Sequence, residues 1–187
     1  MEKDWHSVSL SKHELRIKLK EIRLSLSEDY MKKASREIAL KIDHYLKGCV
    51  ALYHPIKNET DIVKYAKNFN NNIIMLALPS FDGQEFVFRE WNFNSELIIN
   101  KWLIPEPNPK TSKIIVPDII IVPMIGFDRM LHRIGYGYGY YDKILKKHEK
   151  ALSIGIAFSV QEIKKIPVES NDIPLKLIIT EREIITR

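Results

Sequence analysis

The chain is poor in the features that identify secreted and membrane proteins. Its single cysteine, Cys49, rules out an internal disulfide, and we expect it to pack as a small hydrophobe in a reducing compartment. No window of about 18 uncharged apolar residues exists, so no membrane span is expected. The N-terminal segment MEKDWHSVSL lacks the apolar core of a signal peptide. We therefore expect a cytoplasmic protein in which residues 1–10 form a flexible N-terminus.

Several motifs of catalytic and metal sites are missing as well. The chain contains no G-x-x-x-x-G-K-[ST] string, which excludes a P-loop. Its six histidines show no ligand spacing, and His54, His132 and His148 are isolated, so no transition-metal site is expected. No Ser-His-Asp or Cys-His pattern indicates nucleophilic catalysis by a serine or cysteine.

What the chain does have is the composition of a folded protein with an excess of positive charge. With 45% hydrophobic and 28% charged residues, residues 1–187 are expected to form one soluble domain. The formal net charge of +5 is concentrated in residues 12–47 and 129–150. Such segments suit a small polyanionic substrate, a nucleic acid or only a solvated surface. Aromatic residues do not alternate with lysine and arginine as in a known RNA-binding signature, so no nucleic-acid partner is expected.

Apolar periodicity predicts helices and strands in alternation. Residues 15–26 carry leucine and isoleucine at helical spacing, and Ser27 is expected to cap a second helix that ends near Leu46. Asp82-Gly83 predicts a hairpin turn before an antiparallel edge strand at residues 85–91. Further strands are predicted at residues 49–56, 73–78 (ending at Pro79), 118–123, 152–157 and 177–180, with a short helix at 61–69.

This alternation predicts an α/β domain with a mainly parallel sheet and a small antiparallel edge. Pro105, Pro107 and Pro109 predict an extended, irregular segment between the edge strand and the strand at 118–123. In sheets of this class ligands bind at the carboxyl ends of the strands. The residues that follow the strand at 118–123 are therefore candidates for a binding site.

The most informative stretch is RIGYGYGYYD, residues 133–142. It contains three of the seven glycines, at alternate positions, and a helix-like run follows it. Alternating glycines allow positive φ and a close approach of the backbone to a ligand, and a helix N-terminus directs unpaired N–H groups at that ligand. The expected ligand is an anion, above all a phosphate. By themselves the glycines fit a structural turn equally well.

Asp142, directly after the glycines, indicates a divalent cation. A carboxylate beside a bound phosphate repels it unless a cation lies between them, and Mg²⁺ bridges carboxylates to substrate phosphates. Alternatively, Asp142 only compensates the dipole of the helix that starts here. Arg133 can neutralise phosphate oxygens as charge shifts between them. Lys12 and Arg16, one helical turn apart, could reach the same anion or could belong to a solvated helix face.

In combination these segments resemble the 5-formyltetrahydrofolate cyclo-ligase family, whose members are also called 5,10-methenyltetrahydrofolate synthetases. The resemblance covers nearly the whole chain, and its most specific part is the last of the segments. In the family's order they are KHELRIKLKEIR (12–23), ALYHPIKNETD (51–61), LPSFDGQEFVFREW (78–91), WLIPEP (102–107) and IIIVPMIGFDRMLHRIGYGYGYYDKIL (119–145).

The resemblance implies a Rossmann-like three-layer α/β/α domain and an ATP-dependent ligase. The implied reaction converts 5-formyltetrahydrofolate to 5,10-methenyltetrahydrofolate and releases ADP and phosphate. ATP and the folate, in some cases polyglutamylated, are then the partners, Mg²⁺ is the cofactor, and a monomer is expected.

The resemblance also assigns roles to individual residues. It implies that Arg133 and Tyr140 are catalytic, that Asp142 and Asp172 hold the metal, and that the folate contacts His54, Glu59 and Trp102. The implied ATP-binding residues are Lys12, Arg16, Arg133, Ile134, Gly135, Tyr136, Gly137, Tyr138, Gly139, Tyr140 and Tyr141. From their residue types alone, Trp102 and Tyr140 could wall the pocket or lie in the core.

Two positions depart from the family's pattern. Lys176 stands where relatives commonly have a second acid, and Tyr138 stands where glycine or lysine is usual. If a lysine touches phosphate in relatives, Arg129 or Lys143 would have to supply that charge here. These departures favour an alternative, a catalytically silent folate- or nucleotide-binding regulator of the same fold. A third hypothesis, an RNA-binding module, is based only on the basic charge.

Overall fold

The predicted helices and strands occur in the predicted order, together with short strands that the sequence does not predict. The computed structural model describes residues 10–69 and 72–187, so the expected flexible N-terminus lies, apart from Leu10, outside the described residues. Within these residues the helices are α1 (Lys12–Leu24), α2 (Glu28–Asp43) and α3 (Tyr140–Lys147). The strands are β1 (Gly48–Ala51), β2 (Ile73–Asp82), β3 (Glu85–Trp91), β4 (Leu97–Ile99), β5 (Pro105–Pro107), β6 (Ile119–Pro123), β7 (Gly126–Phe127), β8 (Arg133–Ile134), β9 (Leu152–Ile156), β10 (Leu177–Ile179) and β11 (Ile184–Thr186).

A mainly parallel sheet of seven strands forms the centre of the described molecule. The strand order is β11-β10-β9-β6-β1-β2-β3. The five inner strands pair in parallel, whereas β3 and β11 add antiparallel edges. One face of the sheet packs on α2 and the other on α3, in two separate apolar clusters. The predicted three-layer α/β/α fold is thereby confirmed.

The helix boundaries follow from capping residues in the sequence. Ser11 and Glu14 form a capping box at the start of α1, and Ser27 caps α2 by accepting a hydrogen bond from the Tyr30 amide. The predicted end of the second helix near Leu46 is slightly late, because α2 ends at Asp43. Residues 63–68 form a 3₁₀-helix within the short helix predicted at 61–69.

The prediction that the strand from Ile73 ends at Pro79 is wrong, because β2 continues to Asp82. Proline lacks an N–H donor, but none is needed at this point. The pairing with β1 stops at Ala77, and the Phe88 carbonyl opposite Pro79 accepts instead from the Ile115 amide.

The proline-rich segment is also more regular than expected. Residues 105–107 form β5, which pairs antiparallel with β4 in a two-stranded sheet. A strand with one partner tolerates proline, since an N–H on its free side is not required.

The order of the strands determines where a ligand can bind. From β1 the chain proceeds to β2 on one side, whereas β6, on the other side of β1, leads to β9 and β10. The loops that leave β1 and β6 therefore diverge at the carboxyl ends of these strands, where α/β sheets have their binding crevices.

Candidate active site

A cavity of about 800 Å³ lies at this edge of the sheet. Almost every residue proposed from the sequence lines it, namely Lys12, Arg16, His54, Glu59, Trp102, Arg133, Gly135, Tyr136, Gly137, Tyr138, Gly139, Tyr140, Tyr141, Asp142 and Asp172. The side chain of Ile134 is buried in the apolar cluster under α1 with Leu15 and Leu19. The structure thus brings together residues that are up to 160 positions apart in the sequence.

Residues 135–139 form one side of the cavity, which we call the glycine wall. Gly137 and Gly139 have φ of +101° and +69°, so two of the three alternating glycines adopt the left-handed backbone that the sequence pattern predicts. Gly139 is the N-cap residue of α3, and the helix starts at Tyr140, two residues before the predicted helical run. The Arg16 Nε atom donates a hydrogen bond of 2.8 Å to the Gly135 carbonyl, which joins α1 to this wall.

Next to the glycine wall, two carboxylates are paired with two cations. Arg133 donates to Asp142 Oδ1 at 2.5 Å and to the Ile173 carbonyl at 2.5 Å. Lys12 Nζ lies 2.5 Å from Asp172 Oδ2 and 3.0 Å from Glu169 Oε1. Burial lowers the pKa of Arg133, although Asp142 opposes this. Burial also acts to lower the pKa of Lys12, but its bonds to the two acids raise it overall.

The two carboxylates offer oxygen atoms of the kind that Mg²⁺ binds. The structure places no group of three or more His, Cys, Asp or Glu side chains together among the residues it describes. Magnesium needs fewer, since it binds through one or two carboxylates, substrate phosphates and water. Asp142 accepts from Arg133 and Ile173 through Oδ1 alone, and Asp172 accepts from Lys12 and Glu169 through Oδ2 alone. Each carboxylate therefore keeps a second oxygen that these contacts do not use.

A buried acid dominates a second region, which we call the Glu59 wall and which comprises residues 53–59. Glu59 Oε2 accepts from the Ile56 amide at 3.0 Å, while Oε1 lies 3.7 Å from Arg23 Nη1 and is buried without a hydrogen-bond partner. Burial raises the pKa of Glu59 to about 7, and the charge of Arg23 opposes this rise. His54 Nδ1 is likewise buried without a partner. Both side chains thus present polar atoms that a ligand can bind.

Tyr136 connects the two walls. Its backbone belongs to the glycine wall, and its hydroxyl accepts a hydrogen bond of 2.6 Å from Arg23 Nη2. Burial and the nearby Glu59 raise the pKa of Tyr136 to about 12, so its hydroxyl stays protonated at neutral pH. The amines of Lys20 and Lys57 lie 5.2 and 5.6 Å from the centre of its ring.

Aromatic rings form a third region, the aromatic wall of Phe81, Phe86, Trp102, Tyr138 and Tyr140. Tyr140 stacks on Phe86 with ring centroids 5.5 Å apart and on Tyr138 at 5.7 Å. Trp102 lies 4.6 Å from Phe81, and Lys101 lies over its indole. Trp102 and Tyr140 line the cavity, so of the two alternatives left open by the sequence the structure favours a pocket wall over the core.

The structure also locates the two departures from the family's pattern. Tyr138 is 63% exposed at the end of the aromatic stack. Arg129 cannot supply the charge of a missing lysine, because it is bound to Glu162 and Glu183 on the surface. Lys143, by contrast, lines the cavity. Lys176 lies exposed before β10, where its amide donates to Ser153.

Sequence reasoning missed Arg23, Phe81 and Phe86. Arg23 is 1% exposed and lies four residues after the buried Leu19, on the apolar face of α1. An arginine at that spacing is a signal for a buried cation. Phe86 lies in the predicted edge strand, but nothing in its alternation indicates the cavity. Phe81 lies past Pro79, where no strand was predicted.

Comparison with known proteins identifies the fold and the family. Residues 8–181 match the model of the 5-formyltetrahydrofolate cyclo-ligase family. The 5-formyltetrahydrofolate cyclo-ligase of Escherichia coli (strain K12) is 25% identical over 178 residues, covering 89% of this chain and 98% of that one. The cyclo-ligase of Mycoplasma pneumoniae is 29% identical over 180 residues, with 92% and 99% coverage.

Two solved structures extend this similarity to three dimensions. The NMR structure of Aquifex aeolicus 5,10-methenyltetrahydrofolate synthetase matches with a TM-score of 0.83 and 30% identity, covering 94% of this chain and 92% of that one. The 5,10-methenyltetrahydrofolate synthetase of Mycoplasma pneumoniae matches with a TM-score of 0.75 and 26% identity, covering 92% and 99%. Within residues 10–69 and 72–187, none of the helices has the length and hydrophobicity that a membrane span requires. The chain belongs to the 5-formyltetrahydrofolate cyclo-ligase family.

Proposed function

We propose that the chain carries out the reaction of its family in this cavity, with ATP at the glycine wall and 5-formyltetrahydrofolate between the Glu59 and aromatic walls. Membership of the family identifies an ATP-dependent ligase with 5-formyltetrahydrofolate cyclo-ligase activity. The observation that carries the proposal is that the glycine wall, the basic residues Arg16 and Arg133 beside it, and the buried acid Glu59 line the same space. The γ-phosphate of ATP and the formyl group of the folate can therefore meet there.

ATP binding at the glycine wall is supported by charge and backbone conformation. The segment from Arg133 to Tyr141, with Lys12 and Arg16 from α1, offers cationic side chains and the free N–H groups at the start of α3. Arg133 is only 5% exposed at its side chain, so its charge acts in a medium of low polarity. Asp142 and Asp172 are the residues that would hold Mg²⁺. When bound, the ion supplies positive charge to the phosphates.

Folate binding is supported by the opposite region of the cavity wall. Glu59 Oε1 can accept hydrogen bonds from the N–H edge of the pterin, and His54 presents a second polar group. The rings of Trp102 and Tyr140 can stack on the flat parts of the substrate. Polyglutamylated folates fit the basic charge around the cavity.

The proposed chemistry begins with the formyl oxygen, which is a poor leaving group. This oxygen attacks the γ-phosphorus of ATP, the bond to the bridging oxygen breaks, and ADP leaves. N10 of the folate then attacks the activated formyl carbon and forms the new C–N bond. The oxygen departs as part of phosphate, and N10 loses its proton. Such a reaction depends on positioning and charge stabilisation, which Arg133 and Tyr140 are proposed to provide, rather than on a protein nucleophile.

One assay separates this function from the alternatives. Protein, Mg-ATP and 5-formyltetrahydrofolate are mixed, and the absorbance of methenyltetrahydrofolate is followed, with an ATP-free sample as control. ATP-dependent formation of the product is expected. Tight binding of folate or ATP without product would favour a silent regulator, to which Lys176 and Tyr138 point.

We further propose a cytoplasmic monomer that binds neither nucleic acid nor membranes.

A further inference from the structure

Arg23 is a buried cation with an unusual set of partners. It is 1% exposed, and α1 places it beneath the cavity, four residues after Leu19 on the same helix face. Its Nη1 atom donates to the Met124 carbonyl at 3.2 Å, and Nη2 donates to the Tyr136 hydroxyl at 2.6 Å. Its Nε atom is buried without a partner. Arg23 thus lacks a close ion pair, although removal of a guanidinium from water is costly.

The carboxylate nearest to Arg23 is Glu59, and the pair is loose. Glu59 is 8% exposed, its Oε1 lies 3.7 Å from Arg23 Nη1, and this oxygen has no hydrogen-bond partner. A pair that served stability would close to hydrogen-bond distance and satisfy both groups. At the observed separation Oε1 makes no hydrogen bond within the protein and remains available to a ligand, while the nearby Tyr136 hydroxyl also lowers the pKa of this carboxyl.

We propose that Arg23 is a positioning residue for folate recognition, which favours the ionised form of Glu59 while Oε1 remains available to the N–H groups of the pterin. Its bond to the Tyr136 hydroxyl fixes the same part of the cavity wall. The inference rests on the proposed function, because it assumes that Glu59 contacts the folate. It assigns to α1 a second role besides the contact of Arg16 with the glycine wall.

The electrostatic setting shows why a buried cation is needed here. Burial raises the pKa of Glu59 to about 7 even in the presence of Arg23. Without that charge the acid would be neutral at pH 7, and a neutral carboxyl accepts weaker hydrogen bonds than a carboxylate. Lys57 and Tyr136 also lower the pKa of Glu59, and the groups that respond to the charge of Glu59 are Tyr53, Tyr136 and Tyr141.

The test uses Arg23→Met, which removes the charge but keeps an apolar side chain of similar length. We measure kcat/KM for 5-formyltetrahydrofolate from pH 5.5 to 9, together with the KM for ATP at each pH. The acidic limb, in which kcat/KM falls toward low pH, reports the pKa values of groups in the free enzyme. Loss of an opposite charge at this distance is expected to move that limb upward by about one pH unit or more. At pH 7 the folate KM should then rise on the order of tenfold, with little change for ATP.

Four further variants make the result specific. Arg23→Lys retains the charge and should return the acidic limb toward its wild-type position, which a purely structural role of the guanidinium would not predict. Glu59→Gln should lack the limb, and adding Arg23→Met to it should cause little further loss of folate affinity. Arg36→Met removes an exposed arginine of α2 and should leave both KM values unchanged.

The inference is contradicted if active Arg23→Met keeps the wild-type limb, or if the folate and ATP KM values rise together. If Arg23→Met does not fold, Arg23→Lys is compared with the wild type instead. An acidic limb of kcat/KM that moves upward in Arg23→Lys, as expected for loss of the charge, would overturn the proposal. Failure of the proposed function itself is recognised separately, because the wild-type protein would then form no methenyltetrahydrofolate.

Discussion

The acids beside the glycine wall and the acid of the Glu59 wall are paired with cations in different ways. Beside the glycine wall, Asp142 and Asp172 each contact a cation at 2.5 Å. At the Glu59 wall the nearest cation is 3.7 Å away, and Oε1 of the acid has no partner. The first arrangement satisfies its charges within the protein, whereas the second leaves one acceptor for a ligand.

This difference corresponds to the two proposed substrates. Phosphate oxygens that bind Lys12 or Arg133 compete with the two aspartates, which then need another cation, and Mg²⁺ accompanies ATP. The pterin edge carries neutral N–H donors, so it can bind a carboxylate that the protein has left without a close partner. The glycine wall is therefore suited to a charged ligand and the Glu59 wall to a hydrogen-bond donor.

The largest effect is expected at the paired carboxylates. Asp142→Ala should lower kcat on the order of 1,000-fold at ordinary Mg²⁺ concentration, because it removes a proposed metal ligand and leaves Arg133 buried without its partner. Steady-state kinetics over a range of Mg²⁺ concentrations measures this loss.

Asp29→Asn is the matched control for Asp142, because Asp29 is an acid in the first turn of α2 as Asp142 is in that of α3. If Asp142 only compensated the helix dipole, both substitutions would cost about 0.3–1 kcal/mol of stability and leave kcat unchanged. Wild-type kinetics of Asp142→Ala would therefore refute its role in metal binding.

At the Glu59 wall, pH should change stability in a direction set by the unpaired acid. A pKa raised from 4.5 to about 7 means that the contribution of Glu59 to stability is complete below pH 4.5 and is lost as pH rises through 7. Glu59→Gln does not titrate, so from pH 5 to 8 it should gain stability relative to the wild type by about 3 kcal/mol. Urea unfolding at several pH values measures this gain. If the free energies of unfolding of Glu59→Gln and of the wild type changed with pH in parallel, Glu59 would not be a buried acid without a close partner.

The same acid should determine the affinity for folate. Glu59→Ala is expected to raise the folate KM on the order of 100-fold, since the pterin loses a charged hydrogen-bond acceptor in a buried position. The ATP KM should change little, because Glu59 lies outside the glycine wall. If Glu59→Ala instead raised the KM for ATP more than the KM for folate, the assignment of folate to the Glu59 wall would be wrong.

The smallest effects are expected on the aromatic wall. Tyr140→Ala should raise the folate KM about tenfold by removing the central ring of the stack, whereas Tyr138→Ala should change it only about twofold because Tyr138 is at the exposed end. Tyr140→Phe keeps the ring, so a loss of kcat in that variant would assign the catalytic role to the hydroxyl. Equal rises of the folate KM in Tyr138→Ala and Tyr140→Ala would contradict the prediction that the two rings contribute unequally to stacking on the substrate.

The sequence predicts the glycine wall better than the Glu59 wall for a physical reason. The alternation of glycines up to Gly139 and the carboxylate of Asp142 lie within one short stretch. Local backbone rules predict the positive φ of two of these glycines and the start of α3 to within two residues. The pairing of Asp172 with Lys12 joins residues 160 positions apart, which no local rule contains.

The prediction is less complete where long-range packing decides. From the sequence no role is assigned to Arg23, yet its spacing from Leu15 and Leu19 places it on the apolar face, where β7 and β8 cover α1. The extension of β2 past Pro79 depends on which neighbouring strand accepts hydrogen bonds, a property of the sheet rather than of the segment. Strand order, and with it the divergence of the chain at β1 and β6, likewise becomes visible only in the fold.

The most direct test of the division into two walls is a crossed measurement of both KM values in Arg16→Met and Glu59→Gln at pH 7. Arg16 contacts Gly135 and Glu59 faces Arg23, so each variant alters one wall. We predict that Arg16→Met raises the ATP KM about tenfold and leaves the folate KM within about twofold, and that Glu59→Gln does the reverse. A parallel rise of both KM values in both variants would contradict the division.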